Sequence, residues 1–250
     1  MSIDYTDISR TYDEHRSFSK HRAKKLAEFG GIREGMKILD VGCGTGSLAS
    51  QLLNLLNLDI VGIDISLPML RVAREKPLKV ICTNAASNRL PFRDGCFDII
   101  TATYVIHQIS SLEHLFSECH RVLRDGALVL LTSSHEQIEN EHPVFKQFFP
   151  GAIDIDKARF PDIPVICEML VTAGFRDIKH EPVLGESIRI DEEYLCKVRG
   201  KYVSTYGLLP QREFERGVNE LETYIKSLRQ PEYVAWRGTL IYGRKKVGQG

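Results

Sequence analysis

Short apolar runs alternate with helical periodicities along most of this chain. Ile38-Leu39-Asp40-Val41 reads as a buried strand running into a turn that holds Gly42, Gly44 and Gly46. Leu48, Leu52, Leu53 and Leu56 recur at helical spacing, so the turn leads into a helix N-terminus. Asp59 to Asp64 predicts a second strand, Lys79 to Thr83 a third and Phe97 to Thr103 a fourth. Ser66 and Pro68 mark the N-cap and first turn of a helix between the second and third. Leu112, Leu115, Phe116, Cys119, Val122 and Leu123 keep helical spacing, and Arg124-Asp125-Gly126 is expected to end that helix before a fifth strand, Ala127 to Thr132. A helix from Pro164 to Ala173, closed by Gly174, precedes a sixth strand opening at Phe175-Arg176-Asp177-Ile178, and Tyr233 to Arg244 predicts the last. Strands alternating with helices point to an α/β protein built on a Rossmann-like doubly wound sheet.

Three stretches depart from that rhythm. In residues 1–30, Tyr5, Ile8, Tyr12, His15 and Phe18 fall on one helical face, which either packs on the domain or closes over a pocket as a lid. Residues 133–160 lose periodicity; they follow a strand end, so His135, His142, Phe145, Phe148 and Phe149 are expected to border a pocket. Between the sixth and last strands, residues 186–233 form an insertion. There Tyr194, Val198, Tyr202 and Leu208, then Phe214, Val218, Leu221 and Ile225, predict two amphipathic helices joined by Gly207-Leu208-Leu209-Pro210. Such an insertion suits a substrate cover or a dimer surface, and the chain is expected to be one domain, monomeric or homodimeric.

Composition narrows the partners. The chain has 250 residues, and Lys plus Arg and Asp plus Glu both total 33, so no global field draws it to nucleic acid or an anionic membrane. No run of about 18 apolar residues exists and the start is neither basic nor apolar, so a cytoplasmic location is expected. Cys43, Cys82, Cys96, Cys119, Cys167 and Cys196 are spread singly, with no pair or Cys/His cluster at metal spacing, so no metal is expected.

The glycine turn is where chemistry enters. Glycines let a ligand approach the backbone, and the following helix offers free N–H groups. A dinucleotide fingerprint requires G-x-G-x-x-G, but Ser47 stands where the third glycine would fall. Asp40 would also repel a pyrophosphate. S-adenosylmethionine (SAM) carries an ammonium, a carboxylate and a sulfonium instead, and an acidic group beside free N–H groups complements that zwitterionic end. Asp64, about 20 residues past the glycines, can accept ribose hydroxyls.

Leu39-Asp40-Val41-Gly42-Cys43-Gly44-Thr45-Gly46 resembles the first motif of the class I SAM-dependent methyltransferases, in the small-molecule branch that includes the quinone-biosynthesis enzymes. Leu90-Pro91-Phe92 with Phe97-Asp98, and Ala173-Gly174-Phe175, are further features of that family. The resemblance implies a seven-stranded, mostly parallel sheet with an antiparallel last strand. It further implies a cofactor site of Asp40, Gly42, Cys43, Gly44, Gly46, Asp64, Ile65, Met69, Asn84, Ala85, Ala102 and Thr103. Asn84 replaces the usual aspartate on the adenine amino group and can still accept through its side-chain oxygen. A Tyr-Asp-x-x-Arg segment, here Tyr12 to Arg16 and including His15, implies a substrate lid.

Methyl transfer from a sulfonium is an in-line displacement, which asks the protein for alignment and exclusion of water. A base is required only if the acceptor must lose a proton, and His107, delivered by the fourth strand, is the catalytic candidate. The expected activity is therefore methyl transfer from SAM to a small-molecule acceptor. A protein that binds SAM without catalysis is the alternative, and an NAD-dependent oxidoreductase is disfavoured by Asp40 and the missing third glycine. Thr101-Ala102-Thr103-Tyr104 lacks the paired prolines of exocyclic base-amine methylation, which disfavours a DNA substrate.

Overall fold

The computed structural model describes residues 12–13, 17–85, 89–140 and 143–245. They fall into two compact units. One contains the described residues within 4–132, 163–182 and 239–250; the other contains those within 133–162 and 183–238.

In the first unit, β-branched and leucine-rich runs form strands because they bury side chains on both faces. The strands are β1 (Lys37–Val41), β2 (Asp59–Asp64), β3 (Lys79–Cys82), β4 (Phe97–Thr103) and β5 (Leu123–Thr132). With β6 (Arg176–Arg189) and β7 (Tyr233–Arg244) they make a seven-stranded sheet of order β3-β2-β1-β4-β5-β7-β6. β1 pairs in parallel with both β2 and β4, and β5 pairs antiparallel with β7, as expected for the last strand. The order reverses between β1 and β4, and open α/β sheets leave a crevice for ligands at the carboxyl ends of such strands.

Helices α1 (Lys20–Gly30), α2 (Ser47–Leu55), α3 (Leu67–Ala73), α4 (Leu112–Val122) and α8 (Ile163–Thr172) belong to the same unit. Ser66 caps α3 and Ser111 caps α4 through their hydroxyls. From Lys20 onward the N-terminal stretch is a packed helix: Ala23 and Leu26 are fully buried, and a Cβ on Gly30 would lie 2.8 Å from Val129 of β5. His15, Arg16 and the residues before Tyr12 lie outside the described residues.

The expected break at Arg124-Asp125-Gly126 does not occur. α4 passes directly into β5 at Leu123, and these three residues form an irregularity within the strand. Phe97 pairs with Leu123, whereas Ile99 pairs with Ala127. Gly126 serves close approach rather than helix capping, because a Cβ there would lie 1.8 Å from the carbonyl oxygen of Asp98.

The second unit holds three short helices where periodicity fails: α5 (His135–Asn140), α6 (Pro143–Phe148) and α7 (Gly151–Arg159). Each is too short to show a helical repeat in sequence. The insertion supplies α9 (Glu192–Arg199) and α10 (Gln211–Ser227), with Tyr202 and Leu208 falling outside them. Phe145, Phe148 and Phe149 are nearly inaccessible to solvent. They are buried in this unit's own core with Tyr206 and Phe214, and Tyr206 lies 4.9 Å from Phe149 and 5.3 Å from Phe145 between ring centroids. His135 is likewise engaged within the unit, its Nε2 2.7 Å from the Phe160 carbonyl oxygen. His142 lies outside the described residues. Among the described residues no helix is long and apolar enough to cross a membrane.

One side chain holds the approach to β4. Arg121 donates to both oxygens of Glu118 (2.8 and 2.7 Å), to Asp94 (2.7 Å) and to the carbonyls of Phe92 (2.9 Å) and Leu90 (3.1 Å). Leu90 N–H donates to Glu118 at 2.7 Å, closing the network. The Arg121 guanidinium keeps the Glu118 carboxyl below its ordinary range. Arg121→Ala is expected to cost about 3 kcal/mol at neutral pH, since it leaves a sheltered carboxylate unpaired. The cost should shrink as pH falls and Glu118 is protonated, and urea unfolding at pH 7 and pH 4 measures both values.

Candidate cofactor and active site

The site is built on the glycine turn after β1. Gly42 and Cys43 N–H both donate to the Ile63 carbonyl (2.8 and 3.0 Å), and Gly46 N–H donates to the Cys43 carbonyl (2.8 Å). Gly42, Gly44 and Gly46 all have positive φ, at 68°, 53° and 74°. Their surroundings differ. A Cβ on Gly42 would lie 2.2 Å from Val105 and one on Gly46 would lie 2.5 Å from Leu78, whereas one on Gly44 would meet nothing within 4 Å. Two glycines thus serve packing, and the third leaves open a cradle that a side chain would enter. The first amides of α2 have no intrahelical acceptor, and its N-cap, Gly46, makes no side-chain capping bond, so these donors stand at the end of the turn.

Asp64 faces the turn from β2. Its Oδ2 accepts from Gly44 N–H and its Oδ1 from Ser66 N–H, both at 2.8 Å. Burial raises its carboxyl above the ordinary range, while the amides of Ser66, Gly44 and Ile65 oppose the shift. Each oxygen keeps acceptor capacity for a further donor, so the carboxylate is oriented without being used up.

Asp40 is the most buried charge of the site, with 2% of its surface exposed. Thr101, its register neighbour on β4, donates to it at 2.8 Å. Burial pushes Asp40 up to about 7; the Thr101 hydrogen bond opposes this and the Asp64 charge adds to it. The Cys43 thiol is raised far out of its ordinary range by burial, with Asp40 and Asp64 adding, so it stays protonated and is no nucleophile. Gly62 provides its room, since a Cβ there would lie 2.7 Å from Cys43 Sγ.

The other expected residues spread along the same sheet edge. Ile65 is 65% exposed, Met69 is buried, and Asn84 is half-buried. Ala85 packs on the core, and the Ala102 methyl lies within the core, leaving only its backbone for a ligand. Thr103 ends β4, half-buried; Tyr104 follows with φ of 50° and its N–H bonded to the Leu131 carbonyl at 2.8 Å. His107 sits on the 3-10 turn Ile106–Gln108, half-buried, its Nε2 3.4 Å from Gln108 Nε2. Val105, packed on Gly42, binds this loop to the glycine turn. Among the described residues no three His, Cys, Asp or Glu side chains converge as a metal site. The sequence reading missed Thr101 and Val105, which earn their places only through cross-strand register and packing.

Comparison with known proteins now adds to the geometry. Residues 39–131 match the methyltransferase domain family. A demethylmenaquinone methyltransferase of Staphylococcus aureus is 32% identical over 155 residues, which cover 58% of this chain and 63% of that protein. The chain therefore spans under two thirds of the length of these curated relatives. Over this stretch the chain is similar to the methyltransferase domain and to the demethylmenaquinone methyltransferases. Solved structures agree on the fold. A protein described as a methyltransferase from an antibiotic biosynthesis pathway of Anabaena variabilis shares it with a TM-score of 0.77 at 22% identity, covering 92% of this chain and 98% of that one. Phosphoethanolamine N-methyltransferase 2 of Haemonchus contortus, in a complex with S-adenosyl-L-methionine, gives 0.62 at 18% identity, covering 98% of this chain and 61% of that one.

The raised Asp40 pKa carries a stability consequence. The folded state holds the proton more tightly than the unfolded chain, so this group's contribution to stability declines as pH rises from about 4 to about 7 and is then level. At about 1.4 kcal/mol per pH unit the ionised carboxylate costs at most about 4 kcal/mol. Asp40→Asn is expected to match the parent near pH 4 and to exceed it in stability by a growing margin up to pH 7.5, as read from denaturation midpoints at each pH. A constant difference across that range would contradict a buried, proton-binding Asp40.

Proposed function

We propose that this chain transfers the methyl group of S-adenosylmethionine to a small-molecule acceptor, with residues 1–250 acting as one methyltransferase domain. The observation that carries the reading is the open cradle at Gly44, beside the sheet's switch point, whose amide is bonded to the half-buried Asp64 carboxylate. The residues there fit the cofactor. The α2 amides and the turn suit a carboxylate, Asp40 a positive charge, Asp64 the ribose hydroxyls, Ile65 and Met69 an apolar ring face, and Asn84 with Ala85 the adenine edge.

When bound, the cofactor supplies an electrophilic methyl group on a sulfonium. The chain's work is then to position and to shield. Asp40 and Asp64 stabilise positive charge from a sheltered position where screening is weak. His107, with the sheet-edge residues Thr103 and Tyr104, belongs to the acceptor side, and its imidazole takes the proton of an oxygen or nitrogen acceptor that must lose one. Tyr12, His15 and Arg16 complete the acceptor side in this reading.

Isothermal titration with SAM, its demethylated product S-adenosylhomocysteine and NAD tests the proposal, followed by a labelled-methyl screen of metabolite extract. SAM and its product should bind and NAD should not. Gly44→Ala should keep the fold, at a cost of about 1–2 kcal/mol for the left-handed backbone, and lose at least about tenfold in SAM affinity, equivalent to about 1.4 kcal/mol. A Gly44→Ala protein that binds SAM as the parent does would place the ligand elsewhere.

A further inference from the structure

Two stretches before α1 reach back to the glycine turn. Asp13 Oδ1 accepts the Thr45 hydroxyl at 2.5 Å, and its Oδ2 accepts Lys76 Nζ at 2.5 Å. Lys76 Nζ also donates to the Thr45 carbonyl at 2.6 Å, so each member of the set touches the other two. Five residues further on, Phe18 N–H donates to Ser47 Oγ at 2.8 Å. These partners stand 32, 63 and 29 positions apart in the chain, and both ties land on residues 45–47.

Burial gives the set its weight. Thr45 is 1% exposed, and the Asp13 and Lys76 side chains are 32% and 22% exposed. Thr45 lies between Gly44 and Gly46, two residues in the left-handed region with no Cβ to limit their torsions. Within the turn, the bond from Gly46 N–H to the Cys43 carbonyl spans this pair without fixing the Thr45 side chain. Asp13 fixes that side chain, and Lys76 fixes the same residue's carbonyl.

We propose that Asp13 is a positioning residue for the cofactor site: it clamps the glycine turn through Thr45 and Lys76, so that seating of the chain before α1 and binding of the ligand's amino-acid end are coupled. The proposal rests on the reading of the turn as the SAM site. Coupling of this kind is reciprocal, so a ligand ordering the turn also strengthens the clamp. The clamp acts on peptides 44–46, whereas the ribose carboxylate is additionally held by Ser66 from the far side. Its loss should therefore be felt at the amino-acid end of the ligand and spared at the adenosine end.

The test titrates S-adenosylhomocysteine and methylthioadenosine, which lacks the amino-acid end, into the parent, Asp13→Asn, Lys76→Met, the double variant and Lys76→Arg. Thermal midpoints of each variant verify folding. Each single variant should weaken S-adenosylhomocysteine about tenfold, within the usual range of coupling. The double should be no more than about twofold worse than the weaker single, because partners in one network are not additive. Methylthioadenosine should bind within about twofold of the parent throughout, and Lys76→Arg should retain most of the affinity. Unchanged S-adenosylhomocysteine binding in both singles, additive losses, or equal weakening of the two ligands would overturn the clamp. A parent that binds neither ligand would instead overturn the SAM site, and the clamp with it.

Discussion

Gly42 must pass between Val105 and β2 without a side chain, and most of the site follows from that constraint. Gly42 has no space for a Cβ, and its N–H is taken by Ile63. With the turn pinned so closely to β2, Gly44 N–H meets Asp64 and the first turn of α2 is aimed along the sheet edge. The same contact draws the loop after β4 inward, which sets the position of Tyr104 and His107. One tight backbone passage therefore fixes the glycine turn and the loop after β4 together.

What the sequence revealed and what it hid divide along a physical line. Strands buried on both faces write themselves as apolar runs, so β2 and β4 were legible to the residue. Local chemistry was also legible: the Ser66 cap, the glycines and Asp64 at a strand end all declare themselves within a few residues. Interactions between distant segments left no such mark. Thr101 opposite Asp40, Arg121 over the Leu90 to Asp94 turn and Asp13 on Thr45 depend on register or tertiary approach. Gly126 shows the same limit from the other side. It looked like a helix stop, because a glycine reserved for close strand approach and one reserved for a positive φ are identical in sequence.

The second unit makes a related point about length. α10 has 17 residues and a clear apolar stripe, and its course was readable. α5 and α6 have six residues each, less than two helical turns, and are held by their neighbours rather than by propensity. Phe145 and Phe148 give no local sign of a core of their own, because nothing nearby shows that Tyr206 and Phe214, more than fifty residues later, will cover them.

Charge balance finally decides which ligand the cradle suits. Asp40 and Asp64 lie in a sheltered place, and each makes ionisation harder than it is in water: burial raises both, and the Asp64 charge adds to the rise at Asp40. Such a pair is costly on its own and is relieved by a positive charge. A pyrophosphate would raise the cost further, whereas an ammonium or sulfonium lowers it. The α2 amides at the other side of the turn favour an anion of modest size. Positive charge against the carboxylates and a carboxylate against the amides describe a zwitterion attached to a ribose. The electrostatics thus favour SAM over a dinucleotide through Asp40 and the helix start, the two features on which the sequence reading also rested.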